Sequence, residues 1–235
     1  MRPGVVFDET AHETWGQLYA QLAEVRAHLA HPTFVDGLNR LGITGGKIPD
    51  LNVVNDRLIP LTGWRGFFVD GLEGPREFFA ALAERRFPVG NFIRSARDLS
   101  YTPAPDVFHD LYGHLPLLTD RDYASFCQSF GRAALSFADN PAKLRQFERV
   151  FWFGVEFPLI ETKFGRRIFG GGILSSLKES LYCLGPDPEV RSFDWQTIRN
   201  QEFKIDELQK TLYVLKDQSQ LYSCVDALTA AVANT

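Results

Sequence analysis

The segment Pro105-Asp106-Val107-Phe108-His109-Asp110-Leu111-Tyr112-Gly113-His114 constrains this chain more than any other stretch, because it places two of only five histidines five residues apart. In a regular α-helix each residue turns about 100°, so side chains five apart diverge by about 140°. His109 and His114 can face one point only if the helix changes between them. Gly113 accepts the left-handed conformation that ends a helix, and Pro116 blocks its continuation. Pro105 suits a first helical turn, where a missing N–H costs nothing. The spacing predicts a short helix over roughly 105–112, with His109 on it and His114 on the loop just past its end. This is not the zinc-protease pattern, in which the histidines stand four apart with Glu beside the first.

Downstream, Glu156 sits in the aromatic run Phe151-Trp152-Phe153-Gly154-Val155-Glu156-Phe157. A carboxylate there is costly to bury without compensation. A divalent cation compensates it; so does an arginine. Joined with His109 and His114, it makes a two-imidazole, one-carboxylate set that suits a non-haem Fe(II) with open positions. The plainer readings are a chance histidine pair and a histidine serving only as a dipole partner at a helix end.

Composition excludes several classes. The net charge of −4 offers no basic footprint for nucleic acid or an anionic membrane. No apolar run approaches the ~20 residues of a membrane span, and the first residues lack a signal-peptide core. Cys127, Cys183 and Cys224 are odd in number and lack metal-ligand spacing, so they read as reduced core residues of a cytoplasmic protein. The 235 residues, 45% hydrophobic, are enough for one well-filled core. The 20 phenylalanines fit ordinary core, and aromatic walls also suit a planar ligand.

Along the chain, Trp15, Leu18, Leu22, Val25 and Leu29 predict a helix over roughly 9–30, ended by His31-Pro32. A second short helix is expected over 33–42 and a loop over 45–50. Pro60 and Gly63 make 58–64 mostly irregular. Pro75 opens a helix to about 86, with Phe78, Phe79 and Leu82 on its apolar side. Thr119 and Asp122 resemble a capping pair for a helix to about 137. Residues 141–163 are expected to form a long helix carrying Glu156, kinked at Pro158, which crowds the carbonyl of Gly154. A short strand is expected at 167–169 before the glycines 170–172. Ser175 or Ser176 then caps a helix to about 183. Residues 212–215 are β-prone, and 217–233 form the last helix. The fold class is mostly α-helical α+β with a few short strands.

These segments resemble the tetrahydropterin-dependent aromatic amino acid hydroxylases, and most closely the bacterial phenylalanine-hydroxylating members. The resemblance rests on Tyr101-Thr102-Pro103-Ala104-Pro105-Asp106, on His109 to Leu118, on Phe151 to Phe157 and on Gly172-Ile173-Leu174-Ser175-Ser176. Glu13-Thr14-Trp15, Leu61-Thr62-Gly63-Trp64 and Gln209-Lys210-Thr211 also look familial. It spans about residues 8–228 and implies a single catalytic domain over 1–235, monomeric, with no regulatory or tetramerisation domain. It also implies Fe(II) and a tetrahydropterin as cofactors, O2 as co-substrate and a free aromatic amino acid as substrate.

The resemblance assigns His109, His114 and Glu156 to iron. Val69-Asp70-Gly71-Leu72, Phe78 and Asp110 fall to the pterin. Arg94 takes the substrate carboxylate with Asp106 orienting it, and Thr102, Trp152, Gly172 and Ser175 surround the amino acid. Glu179 is an outer acidic residue. Read alone, Arg94 fits a surface ion pair, Phe78 and Trp152 fit core, and the glycines fit a turn. Four positions depart from the family pattern. Phe151 stands for Tyr, Gly154 for Thr, Pro158 for Gly and Gly171 for Ala. They bear on substrate preference and on the ring position attacked.

The implied activity is hydroxylation of L-phenylalanine to L-tyrosine. The alternatives are meta-hydroxylation, for which the Pro158 kink is the motive, and tryptophan hydroxylation, against which Trp152 argues. In another class stands a zinc hydrolase, with Asp110 or Glu179 as its base.

Overall fold

Capping oxygens and prolines set where most helices of this chain begin. The computed structural model describes residues 5–100, 102 and 104–235. Tyr101 and Pro103 of the family-like segment, and residues 1–4 of the leader reading, lie outside these. Helix α1 (Glu9–Gln21) starts at Asp8, whose carboxylate accepts the Ala11 N–H at 2.8 Å. It does not run on as an α-helix to residue 30. A π-helical stretch, Val25–Leu29, follows instead, closed by Ala30 N–H donating to the Val25 carbonyl at 2.8 Å. Helix α2 (Pro32–Leu41), expected over 33–42, begins on Pro32 itself and ends at Gly42.

Residues 58–64 are not irregular. Helix α3 (Leu51–Thr62), capped by Asp50, runs through Pro60 and stops at Gly63, where φ is +76°. Pro60 deprives only the Asp56 carbonyl of its donor, and both residues are exposed to water. Two strands follow that the sequence reading missed. β1 (Arg65–Val69) and β2 (Arg86–Gly90) pair in parallel, with α4 (Pro75–Ala83) between them. Gly66, Pro88 and Gly90 are poor strand residues, but a two-stranded sheet has only edges, where proline is tolerated.

Helix α5 (Arg121–Leu135) is capped by Asp120, not Thr119; its carboxylate accepts the N–H groups of Asp122 and Tyr123. Helix α6 (Pro141–Phe151) passes into a π-helical stretch, Trp152–Glu156, and stops at Phe157. The expected kinked helix to 163 is therefore absent. Pro158 instead opens strand β3 (Pro158–Ile160), a position where its missing N–H costs no ladder bond. β4 (Arg167–Ile168) leads to α7 (Gly171–Leu174), which was read only as a glycine turn, and to α8 (Leu177–Tyr182), capped by Ser176. β5 (Glu189–Ser192), α9 (Trp195–Ile198), β6 (Thr211–Leu215), α10 (Gln218–Tyr222) and α11 (Cys224–Ala233) complete the chain. The last expected helix is thus two. The second sheet has the order β4-β3-β6-β5, with β3 and β5 parallel to β6. The expected class, mostly helical with short strands, holds.

The segment that opened the analysis folds differently from its expected form. Asp106 caps a helix that starts at Val107, so Pro105 lies just outside it, and residues His109–His114 are π-helical. Leu115 N–H donates to the carbonyl of Asp110, five residues back, at 3.2 Å. The widened turn carries one extra residue, which brings positions five apart onto one side. No left-handed break occurs: Gly113 is not among the positive-φ glycines, and Pro116 stays helical at φ −58°. Gly113 serves close packing. A Cβ there would lie 2.6 Å from the Gly171 carbonyl oxygen on α7.

Phe108 anchors the same segment in the core. It stacks on Tyr112 at 4.7 Å and meets Trp15 edge-on at 4.9 Å, and all three are fully buried. The Gly113–Gly171 approach leads to a first prediction. Gly113→Ala forces backbone against backbone and should lower stability by roughly 1–3 kcal/mol, as overpacking does. Urea unfolding of the two proteins measures this, and equal midpoints would remove the packing role.

Candidate active site

Three donor atoms converge where the two π-helical stretches meet. His109 Nε2 and His114 Nε2 are 3.1 Å apart. Glu156 Oε2 lies 3.1 Å from His114 Nε2 and 3.7 Å from His109 Nε2. Two donors about 2.1 Å from one divalent ion stand about 3.0 Å apart in cis octahedral geometry and about 3.4 Å apart in tetrahedral geometry. The observed spacings fit one ion held on a single face. This is the group of histidine and acidic side chains among the described residues whose ligand atoms gather closely enough for a metal.

Each ligand is aimed by its surroundings. His109 Nδ1 lies 2.9 Å from Ser175 Oγ. That hydroxyl has a single proton, which it donates to the Gly171 carbonyl at 2.9 Å, with Gly172 O at 3.3 Å. Ser175 must therefore accept from His109 Nδ1–H, which leaves Nε2 as the bare donor facing the other ligands. His114 is 2% exposed and clamped. Phe87 on β2 stacks on the ring at 5.0 Å, and a Cβ on Gly171 would meet the ring at 2.4 Å. Gly170 and Gly172 press on Glu156, where their Cβ atoms would fall 2.3 and 3.0 Å from its backbone oxygen. The three glycines thus let backbone form a wall of the site.

Electrostatics favours the metal-binding forms of His109 and Glu156, whereas His114 gives up a proton when it binds a metal. Burial, aided by repulsion from His114, lowers the His109 pKa to about 4, so the ring is neutral. Burial works against the charged forms of Glu156 and His114 too, but their mutual attraction outweighs it. Glu156 is held below the usual carboxylate range, and His114 is raised. Beside them, burial pushes the Asp110 carboxyl up to about 8; its Oδ2 accepts the Gly90 N–H at 2.8 Å.

Arg94 is no surface ion pair. Its side chain is 4% exposed and bound to a fully buried Asp106. Asp106 Oδ2 accepts from Arg94 N and Nε, both at 2.8 Å, and Oδ1 accepts from Arg94 Nη2 at 2.9 Å. Oδ1 also caps the helix by accepting the His109 N–H at 2.9 Å. One carboxylate therefore ties the arginine to the first histidine. Burial opposes the Asp106 charge, but the guanidinium and the amide donors hold its pKa below the ordinary value.

The structure gives the other expected site residues differing support. Gly71 takes φ +81°, and Leu72 beside it is 69% exposed. Phe78 reaches the site through Phe87, at 6.1 Å, which in turn stacks on His114. It also meets Phe151 edge-on at 5.1 Å, so the Phe-for-Tyr departure falls on this aromatic wall. Thr102 is half-buried and donates to the Ala104 carbonyl. Trp152 packs on Phe157 at 4.7 Å with the rings tilted by 36°, and Gly172 lies against both Phe157 and Glu156. Sequence reasoning missed Phe87. A β-prone Phe-Pro-Val after a helix was the available signal, and the proline hid it.

Glu179 is half-buried, and its Oε2 is buried without a hydrogen-bond partner. Burial raises its pKa to about 7 from an ordinary 4.5. The folded protein therefore prefers the protonated acid. Its favourable contribution is full below the unfolded value and is lost as pH rises through about 7. Glu179→Gln should remove that loss. Urea titrations at pH about 5 and about 8 should show the parent losing more stability than the variant. Parallel pH dependence would show that the carboxyl is not perturbed.

The comparisons with known proteins agree with this site. Residues 2–233 match the family described as biopterin-dependent aromatic amino acid hydroxylase. The chain is 40% identical over 212 residues to a phenylalanine-4-hydroxylase of Chromobacterium violaceum, covering 90% of this chain and 71% of that one. It is 37% identical over 216 residues to that of Pseudomonas aeruginosa, covering 92% and 82%. The crystal structure of the C. violaceum enzyme with bound iron(III) and oxidised 7,8-dihydrobiopterin superposes with a TM-score of 0.91 at 38% identity, covering 97% and 84%. A structure of the same enzyme with iron and phenylalanine superposes with a TM-score of 0.89 at 36% identity, covering 97% and 85%. On this evidence of sequence, fold and site geometry, the chain belongs to the biopterin-dependent aromatic amino acid hydroxylases.

Proposed function

We infer that this chain is an iron- and tetrahydropterin-dependent monooxygenase that converts free L-phenylalanine to L-tyrosine. The observation that carries the reading is the convergence of His109, His114 and Glu156 within 3.7 Å in a buried aromatic setting. These three would hold Fe(II) and leave its other positions open. When bound, iron and reduced pterin supply the redox chemistry that activates O2. The protein's own part is to position and to exclude water.

In this reading Arg94 holds the substrate carboxylate. Asp106 occupies the Nε and Nη2 edge, which fixes the guanidinium plane; one Nη1 proton goes to the Leu99 carbonyl at 3.4 Å, and the remaining Nη protons are left for a second carboxylate. Thr102, Trp152, Gly172 and Ser175 line the space for the amino acid. Gly71, Leu72, Phe78 and Asp110 face the pterin. A protonated Asp110, favoured by its burial, keeps a second negative charge away from Glu156. Pro158 opens a strand instead of tilting a helix, so it gives no reason to move the attack from the para carbon. The protein is read as cytoplasmic because its three cysteines are buried and free, as in reducing compartments. No helix among the described residues is long and apolar enough to cross a membrane.

The test is product analysis after incubation with Fe(II), reduced pterin, O2 and each aromatic amino acid. Para-tyrosine from phenylalanine is expected; dominant meta-tyrosine would overturn the para assignment. Glu156→Gln should keep the fold but cost at least about 100-fold in activity, beyond the roughly 10–100-fold of an outer-shell loss. Normal turnover at full iron content would remove Glu156 from the ligand set.

Arg94→Lys retains the charge but not the fork. With the fold checked by circular dichroism, the KM for phenylalanine should rise about 10-fold or more, the worth of one charge-assisted hydrogen bond. The KM for pterin should stay near its parent value. An unchanged phenylalanine KM would exclude the anchoring role.

A further inference from the structure

The segment 199–210 between α9 and β6 contains neither helix nor strand, yet it is tied to the site by one stack of rings. Trp152 packs against two aromatic partners. Phe157 is 4.7 Å away, tilted by 36°, and Phe203, from this segment, stacks at 4.4 Å and 12°. Phe157 in turn abuts Gly172: a Cβ there would stand 3.1 Å from Phe157 Cζ and 3.2 Å from Glu156 Oε2. Three rings thus run from the edge of Glu156 outward to the loop.

Gln209 latches the stack. It is 5% exposed although it sits in a loop. Its Oε1 accepts the Trp152 indole N–H at 3.0 Å. Its Nε2 donates to the carbonyls of Lys204 and Glu207, both at 2.9 Å. Those two carbonyls can only accept, so the amide orientation is settled by the network. An indole nitrogen can only donate, so it needs an acceptor held in place. Gln209 supplies that acceptor and closes the loop with its two remaining protons. A carboxylate would face two carbonyls without protons to offer, and an apolar side chain would leave the indole N–H unpaired.

We propose that Gln209, with Phe203, is a positioning residue that sets the plane of Trp152 and so determines the shape of the pocket offered to the substrate ring. The proposal rests on the reading that Trp152 lines that pocket. It goes beyond it by placing the control of ring fit in a loop more than fifty residues further along the chain.

A double-mutant cycle tests it, with the intact chain loaded with iron and assayed with phenylalanine and reduced pterin. Gln209→Leu should raise the KM for phenylalanine about fivefold or more, the size expected for an orphaned buried donor. Less tyrosine should form per pterin oxidised, while iron content and the KM for pterin stay unchanged. In a Trp152→Phe background the indole N–H is gone, so Gln209→Leu should then change the phenylalanine KM by less than about twofold. An equal effect in both backgrounds would make Gln209 a loop staple only and overturn the proposal.

If Trp152→Phe by itself leaves phenylalanine KM and coupling untouched, the reading of Trp152 fails, and the proposal fails with it. Iron binding and the Arg94 anchor stand apart from that result. Should Gln209→Leu not fold, Phe203→Leu removes the outer ring at a more exposed position. It should give the same rise in phenylalanine KM and the same fall in coupling. An unmoved KM and coupling in Phe203→Leu would overturn the proposal.

Discussion

A carboxylate and two imidazoles held within 3.7 Å of one another inside an aromatic interior is the constraint on which the rest of this structure depends. Such a group is unfavourable to bury without a compensating charge. Its convergence depends on two widened helical stretches, His109–His114 and Trp152–Glu156, that face each other. In each, the extra residue turns a ligand to where an ordinary helix would not carry it. The widening is accepted because neighbouring backbone approaches closely. Gly113 meets Gly171, and Gly171 meets the His114 ring.

The charges around this centre are arranged in two separate layers. Asp106 and Arg94 neutralise each other completely, and the same carboxylate caps the helix that begins the first ligand segment. Asp110, one residue beyond His109, is pushed by burial towards its neutral form. Glu156 is thereby the carboxylate left ionised for the imidazoles to share. Phe87 and the glycine backbone then both restrict His114, so the ligand set keeps its geometry through packing as much as through charge.

Several elements were legible because their causes are local. The capping oxygen of Ser176 and the opening prolines 75 and 141 act within one helical turn, and the helices began at or near them. Where a local signal competed with packing, the reading failed. Pro60 was taken as a breaker, but an exposed final turn tolerates it. Pro158 was taken as a kink, but strand pairing with β6 claimed it. β1 and β2 hold few β-prone residues and exist because they pair with each other.

The amino-acid sequence by itself determined the ligand types, their order and the need for a departure from regular helix between His109 and His114. Those follow from residue chemistry and from the pitch of an α-helix. It did not determine the form of that departure. A left-handed stop at Gly113 and a widened turn both satisfy the spacing, and the choice was made by α7, whose backbone lies against Gly113. The same holds for Phe87, Phe203 and Gln209. None carries chemistry that sequence alone would assign to a site, and each gained its place beside His114 or Trp152 only when strands and loops distant in the chain were brought together. Local rules reach about one turn of helix; contacts across the fold are settled by which surfaces can be buried at once.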